Sequence, residues 1–192
     1  MPIRLLALDL DGTLLDSRGH VPEENRRAIM LARERGVSIA LVTGRRFRDA
    51  RPLALELGLD VPVISHNGAL TKHARTLETV AALLLPLEAA RALVTLGRER
   101  GVDPMVSADH EGMGLLLYDR VSEGNHALAS YIAWSRRIVG DEADAAEAVK
   151  RVASLADYLD HPPVHITFSG TCRAMAEFGE LIHTELGEGV RL

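Results

Sequence analysis

The chain has 192 residues, 47% of them hydrophobic and 26% charged, which suits one or two domains with cores of their own. A formal net charge of -5 and a pI near 5.9 argue against nucleic acid as a ligand, and no stretch reaches the ~18 apolar residues of a membrane span, with neither insertion nor export indicated. The single cysteine, Cys172, excludes an internal disulfide and fits a reducing, cytoplasmic compartment, with a buried and inert thiol expected.

The run Ile3 to Leu8 reads as a buried strand of a parallel sheet and leads into Asp9-Leu10-Asp11-Gly12-Thr13-Leu14. Ligands of open α/β sheets gather beyond the carboxyl ends of strands, so Asp9 and Asp11 belong at a site. In an extended segment residues i and i+2 point to one side, so both carboxylates can face one small volume. Their repulsion is relieved by a divalent cation, and hard oxygen ligands of this kind suit magnesium, which binds through one or two carboxylates plus phosphate. Gly12 lets backbone approach a ligand, and Thr13 offers a hydroxyl. The competing reading of the pattern alone is an Asp-Gly turn with both acids solvated.

Pro22 to Gly36 is predicted as a helix, with proline near its start, apolar Ala28, Ile29, Leu31 and Ala32, and glycine as its stop. The next apolar strand, Val37 to Val42, also ends in small polar residues, Thr43-Gly44-Arg45-Arg46. A hydroxyl, a glycine amide and a guanidinium at one sheet edge are donors that bind a phosphoryl group. The two strands and the helix make a βαβ unit, whose right-handed crossover sets the strands parallel with both carboxyl ends on one face. A helix from Phe47 to Gly58 follows. The strand Val61 to Ser65 then leads into His66-Asn67-Gly68-Ala69 and a hairpin containing Lys72.

Beyond this point the strand ends carry no comparable cluster of acids and glycines. Val80 to Leu87 reads as a linker, and Pro86 to Arg100 as a helix ending at Gly101. Met105 to Ser107, Gly114 to Tyr118 and Val164 to Phe168 are predicted strands. Glu123 to Arg137, Asp141 to Tyr158 and Arg173 to Leu186 are predicted helices, and another strand starts at Gly189. The histidines lack the spacing of a zinc site: His161 and His165 flank a Pro-Pro pair, and His66 and His73 sit in the turn region, where His66 reads as a solvated turn residue or, next to Asn67, as a substrate contact. Tyr118, Tyr131 and Trp134 read as core or half-buried aromatics.

The chain resembles the haloacid dehalogenase superfamily of phosphatases, and within it the Cof-like branch. Asp9 to Leu15 is similar to the family's first motif, Val42-Thr43-Gly44-Arg45 to its second, and His66-Asn67-Gly68-Ala69 to the turn after the third core strand of that branch. The resemblance implies an α/β fold: a Rossmann-like parallel-sheet core over residues 1–83, incomplete here, with an inserted α+β cap over 84–192. It implies an aspartyl-phosphate mechanism, with Asp9 as nucleophile and Asp11 as general acid and then base. It also implies Mg2+ held by the Asp9 carboxylate and the Asp11 carbonyl. Gly12, Thr43, Gly44, Arg45 and Asn67 would bind phosphate or substrate, although Arg45 could equally start the following helix.

The expected activity is hydrolysis of small phosphorylated metabolites, such as sugar phosphates or flavin-type and pyridoxal phosphates. A phosphotransferase or phosphomutase, and a catalytically incomplete binding fragment, are the alternatives. The last is suggested by two features of the family not seen in this sequence, a core lysine and a later glycine-aspartate segment. The chain has two lysines against twenty arginines, and both Lys72 and Lys150 read as solvated surface residues, Lys150 in mid-helix. Without the family's later strands, Ile3 to Leu8 becomes an apolar edge, to be covered by a missing C-terminal segment, a partner or a homodimer.

Overall fold

The computed structural model describes residues 3–59, 61–138 and 146–186, with backbone only at 185–186. The chain divides into two compact units, Met1–Leu83 with His110–Met113, and Leu84–Asp109 with Gly114–Leu192.

In the first unit, β1 (Leu5–Leu8), α1 (Glu23–Glu34) and β2 (Ser38–Leu41) form the expected βαβ unit, with β1 parallel to β2 in the register Leu5 to Ser38 through Leu8 to Leu41. Next come α2 (Phe47–Glu56) and β3 (Val63–Ser65), the latter joined to the end of β2 by a parallel bridge between Val42 and Ile64. The antiparallel hairpin β4 (Leu70–Lys72) and β5 (Thr79–Ala82) continues from β3. Ile29, Ile39, Leu41, Phe47, Ala50, Ala54 and Val63 are buried, as helical and strand periodicity require of residues facing a shared core. On its other edge β1 pairs with nothing among the described residues, and Ile3 and Leu5 are 75% and 59% exposed.

Two expectations are corrected in the hairpin of this unit. The stretch from Val80 to Leu87 is a linker only in its second half: Val80–Ala82 belong to β5, for which β4 supplies a hydrogen-bonding partner that the sequence alone does not reveal, while residues 83–86 are irregular and lead into a helix at Leu87. Lys72 is not on the surface. It is fully buried, and its ammonium donates to Thr79 Oγ1 at 3.1 Å, the His110 carbonyl at 2.8 Å and the Glu111 carbonyl at 2.7 Å, with Phe47 beneath it. A buried charge is tolerated where its donors are all used, and here three neutral oxygens use them.

The second unit comprises α3 (Leu87–Glu99), β6 (Asp103–Ala108), β7 (Leu115–Tyr118), α4 (His126–Arg137), β8 (Val149–Arg151), α5 (Leu155–Tyr158), β9 (His165–Ser169) and α6 (Cys172–Leu186). Its sheet has the order β8-β7-β6-β9, with β8 parallel to β7 and the other pairings antiparallel. Val106, Ala108 and Leu117 pack on Ala90 and Val94 of α3, while Met105, Leu116 and Tyr118 pack on Leu128 and Ile132 of α4. Helices on both faces explain why β6 is buried throughout rather than alternating. Asp103 is an exception in polarity but not in satisfaction. Its carboxylate accepts from the Ser122 N–H, the Ser122 hydroxyl and the Asn125 amide, each at 2.8 Å.

The predicted helix from Asp141 to Tyr158 is replaced, from Val149 on, by β8 and the short α5, whose N-cap Ser154 accepts from the Asp157 N–H. Pairing with β7 buries Val149 and Ala148 against Met105 and Leu116, a tertiary gain that overrides local helical preference. Lys150 therefore sits on a strand, exposed as expected, with its ammonium donating to the Tyr158 hydroxyl. Residues 141–145 and the strand expected at Gly189 lie outside the described residues. Cys172, expected to be buried, is exposed in the first turn of α6.

Candidate active site

β1 ends at Leu8, and the chain turns almost at once. Leu14 N–H donates to the Asp9 carbonyl at 3.2 Å and Leu15 N–H to the Leu10 carbonyl at 2.9 Å, closing a wide five-residue turn over Leu10–Leu14. Gly12 makes it possible, with a φ of 75° that side chains disfavour. Leu10 and Leu14 point into the core and hold the turn down, and Asn25 of α1 donates to the Leu14 carbonyl at 3.0 Å. Asp9, Asp11, Gly12 and Thr13 remain exposed.

Asp9 and Asp11 are both exposed while Leu10 between them is buried, as alternation implies, and the turn gives the two acids separate partners. Thr13 donates its hydroxyl to Asp9 Oδ2 at 3.5 Å. Arg45 grips Asp11 in bidentate fashion, Nε to Oδ2 at 2.8 Å and Nη2 to Oδ1 at 2.6 Å. Those hydrogen bonds hold the Asp11 carboxyl below its ordinary range against the opposing effect of partial burial, and the positive charge of Arg45 adds to them. Arg45 thus neither starts the helix idly nor points away from the site. It joins the ends of β1 and β2.

The loop after β2 is itself fastened. Thr43 N–H donates to the Ile64 carbonyl, continuing the sheet towards β3, and the buried Thr43 hydroxyl accepts from the Arg45 N–H at 3.1 Å. Arg46, also buried, makes a bidentate pair with Asp49 at 2.8 Å for both bonds and so anchors the first turn of α2. Burial pushes the Asp49 carboxyl up, opposed by the Arg46 charge.

A third strand end meets the second. His66 N–H donates to the Arg45 carbonyl at 2.9 Å and Asn67 N–H to the Thr43 carbonyl at 3.2 Å. Gly44 is glycine for a steric reason: a Cβ there would lie 2.7 Å from Asn67 Oδ1. His66, Asn67 and Gly68 have successive φ values of 52°, 54° and 94°. Left-handed backbone costs a non-glycine residue roughly 1–2 kcal/mol, so the surroundings must hold this turn in place.

Asp9, Asp11 and Gly12 therefore stand at the end of β1, and Thr43, Gly44 and Arg45 at the end of the adjacent parallel strand. Asn67 comes from the turn beyond β3. Arg45 links the first group to the second, and backbone hydrogen bonds link the second to the third. His66 is the residue that sequence reasoning misread: it is 4% exposed rather than solvated. The Asn-Gly pair signals the turn, but nothing local signals that the preceding side chain is buried. Among the described residues no helix is long and apolar enough to cross a membrane.

The profile of haloacid dehalogenase-like hydrolases matches residues 6–168. The 5-amino-6-(5-phospho-D-ribitylamino)uracil phosphatase YcsE of Bacillus subtilis is 42% identical over 67 residues, which are 35% of this chain and 27% of that protein. Pyridoxal phosphate phosphatase YbhA of Escherichia coli is 33% identical over 111 residues, 57% of this chain and 40% of that one. A haloacid dehalogenase-like hydrolase from Bacteroides thetaiotaomicron shares the fold, with a TM-score of 0.78 at 18% identity over 99% of this chain and 66% of its own. The chain thus spans less than half the length of these two curated relatives. With the family profile covering most of its length, including all three strand ends just described, the chain belongs to the haloacid dehalogenase-like hydrolases.

Proposed function

We propose that this chain carries the nucleophile and phosphate-binding parts of a magnesium-dependent phosphatase acting on small phosphorylated metabolites. The observation that carries this reading is the pair of adjacent parallel strands, β1 and β2, ending in Asp9-x-Asp11 and Thr43-Gly44-Arg45, with Arg45 fastened to Asp11. The first unit is read as the phosphate-handling core and the second as the cap. Two relatives named as phosphatases of a ribitylaminouracil phosphate and of pyridoxal phosphate support a small phosphomonoester as substrate.

Asp9 is exposed at a strand end and lies open to attack phosphorus in line. A bond forms from its carboxylate oxygen to phosphorus as the bond to the leaving oxygen breaks, giving an aspartyl-phosphate. Asp11 supplies the proton to the leaving oxygen, then takes one from the water that attacks the phosphoryl group and restores Asp9. Since the Arg45 clasp favours ionised Asp11, Arg45 must part from it before that proton can be given. A phosphate offers the same guanidinium fork a competing bidentate partner. Thr43 and the amides around Gly12 and Gly44 hold the transferring oxygens, and Asn67 contacts the substrate.

The residues fit a magnesium ion. Its habit is to bind through one or two protein oxygens while water and phosphate complete the shell. Asp9 offers an exposed carboxylate engaged by a single long hydrogen bond from Thr13, and Asp11, its carboxylate held by Arg45, would contribute its backbone carbonyl. When bound, the ion offsets repulsion between the nucleophile and the phosphate anion. The single cysteine supports a reducing cytoplasmic setting. The bare edge of β1, with exposed Ile3, Leu5 and Leu6, is read as a docking line for one further apolar strand, from another stretch of polypeptide or a second copy.

Release of inorganic phosphate from p-nitrophenyl phosphate, pyridoxal phosphate and hexose phosphates, followed with and without magnesium, tests the reading. Magnesium-dependent release suppressed by a chelator is expected. Turnover unaffected by the chelator would contradict the metal assignment, and no release from any of these esters would contradict the activity.

A further inference from the structure

We infer that His66 is a positioning residue for Asn67 and the Gly44 loop, acting through a hydrogen-bonded relay with Ser65; this rests on the reading of Asn67 as a substrate contact.

The geometry comes from three observations. First, the His66 side chain is buried while its neighbour Asn67 is exposed, and the two residues are successive left-handed positions. Second, Ser65 Oγ lies 3.2 Å from His66 Nδ1 and 3.1 Å from the Leu70 carbonyl. A hydroxyl has one proton, and a carbonyl can only accept, so Ser65 donates to Leu70 and must accept from His66. His66 therefore carries a proton on Nδ1, an assignment made from the network. The relay runs from His66 Nδ1–H to Ser65 O–H to the first residue of β4, and Ser65 itself is fully buried. Third, the backbone of the same two turn residues donates to the carbonyls of Thr43 and Arg45, while Asn67 Oδ1 occupies the space that a side chain on Gly44 would need.

Together these make a lever. The imidazole is fixed to the end of β4, it holds His66 and Asn67 in a conformation they would otherwise leave, and that conformation sets both the Asn67 amide and the Thr43–Arg45 loop. A residue of similar size without a donor at the Nδ1 position cannot replace it. Asparagine can: it tolerates left-handed backbone, and its side-chain N–H reaches roughly where Nδ1 does.

The test is a double-mutant cycle on the full chain, with His66→Ala and Asn67→Ala alone and combined, and Ser65→Ala as a milder break of the relay. Two readouts are taken: kcat/KM for p-nitrophenyl phosphate, and the backbone amide NMR signals of Thr43, Gly44 and Asn67. His66→Ala is expected to lower kcat/KM about tenfold in the otherwise unaltered chain and hardly at all once Asn67 is alanine. Ser65→Ala should do the same more weakly, and His66→Asn should restore the rate. In the spectra, His66→Ala should move the Thr43 and Gly44 signals while leaving those of β6 to β9 in place.

Losses that add in the double variant, or Thr43 and Gly44 signals that stay put, overturn the positioning role. If the unaltered chain releases no phosphate, the phosphatase reading fails. The lever is then judged on the spectra alone, since they need no turnover.

Discussion

Replacing Lys72 with methionine keeps the length of the side chain and removes its charge and its donors. The ammonium is fully buried and makes three hydrogen bonds, to Thr79 Oγ1, the His110 carbonyl and the Glu111 carbonyl. Hydrogen bonds from a charged donor contribute roughly 1.5–3 kcal/mol each. Against that gross loss stands the relief of no longer burying an ammonium, several kcal/mol on its own. What decides the net is the acceptors left behind. The His110 carbonyl keeps a donor, because Thr79 Oγ1 also reaches it at 2.8 Å. The Glu111 carbonyl loses the bond at 2.7 Å, but Glu111 is exposed, so water replaces part of it and the loss lies at the low end of the roughly 1–3 kcal/mol of an unsatisfied acceptor. A destabilisation of about 1 kcal/mol follows, or about 2–4 °C in Tm for a chain of this size. Urea unfolding measures the loss, and hydrogen exchange should locate it at 110–113 and β5. If Lys72→Met were as stable as the unaltered chain and exchanged no faster in that segment, the idea that this ammonium fastens the segment would be wrong.

Gly44→Ala places a Cβ 2.7 Å from Asn67 Oδ1, a contact the Asn67 side chain can escape by turning away. The expected result is a stability change within about 1 kcal/mol, read by thermal unfolding, together with at least a tenfold fall in phosphate release. Asp103→Ala orphans three donors in the second unit and should cost about 3–4 kcal/mol by urea titration. Burial opposes ionisation of Asp103, but hydrogen bonds from Ser122 and Asn125 outweigh it and the carboxyl sits below its ordinary range. Its contribution is therefore complete above the unfolded carboxyl's pKa of about 3.9 and disappears as pH falls through the lower folded value. Acid unfolding of Asp103→Asn, followed by circular dichroism, should be less pH-dependent below about 4 than that of the unaltered chain.

The parts of this molecule that could be read from sequence share a trait: their signal is local. Acid, glycine and hydroxyl punctuation after the runs ending at Leu8 and Val42 marked two strand ends, and the intervening helix made their parallel pairing the natural consequence. Asn67-Gly68 marked a turn for the same reason. Where the deciding contact is distant in sequence, the reading failed. β8 depends on β7, some thirty residues earlier, and Lys72 is buried by a segment that arrives almost forty residues later. Periodicity knows of neither partner. His66 was misread because nothing local in the sequence marks a turn side chain as buried. The partner that Asp11 finds in the site is Arg45, a pairing across 34 residues that no spacing rule proposes.

The most direct measurement is of the covalent step. The chain would be mixed with magnesium and a small phosphomonoester carrying a radiolabelled phosphoryl group, quenched in acid, and digested for peptide mapping. The account predicts acid-stable, base-labile label on the peptide containing Asp9, and neither label nor turnover in Asp9→Asn. Label on another residue, or undiminished phosphate release by Asp9→Asn, would contradict it.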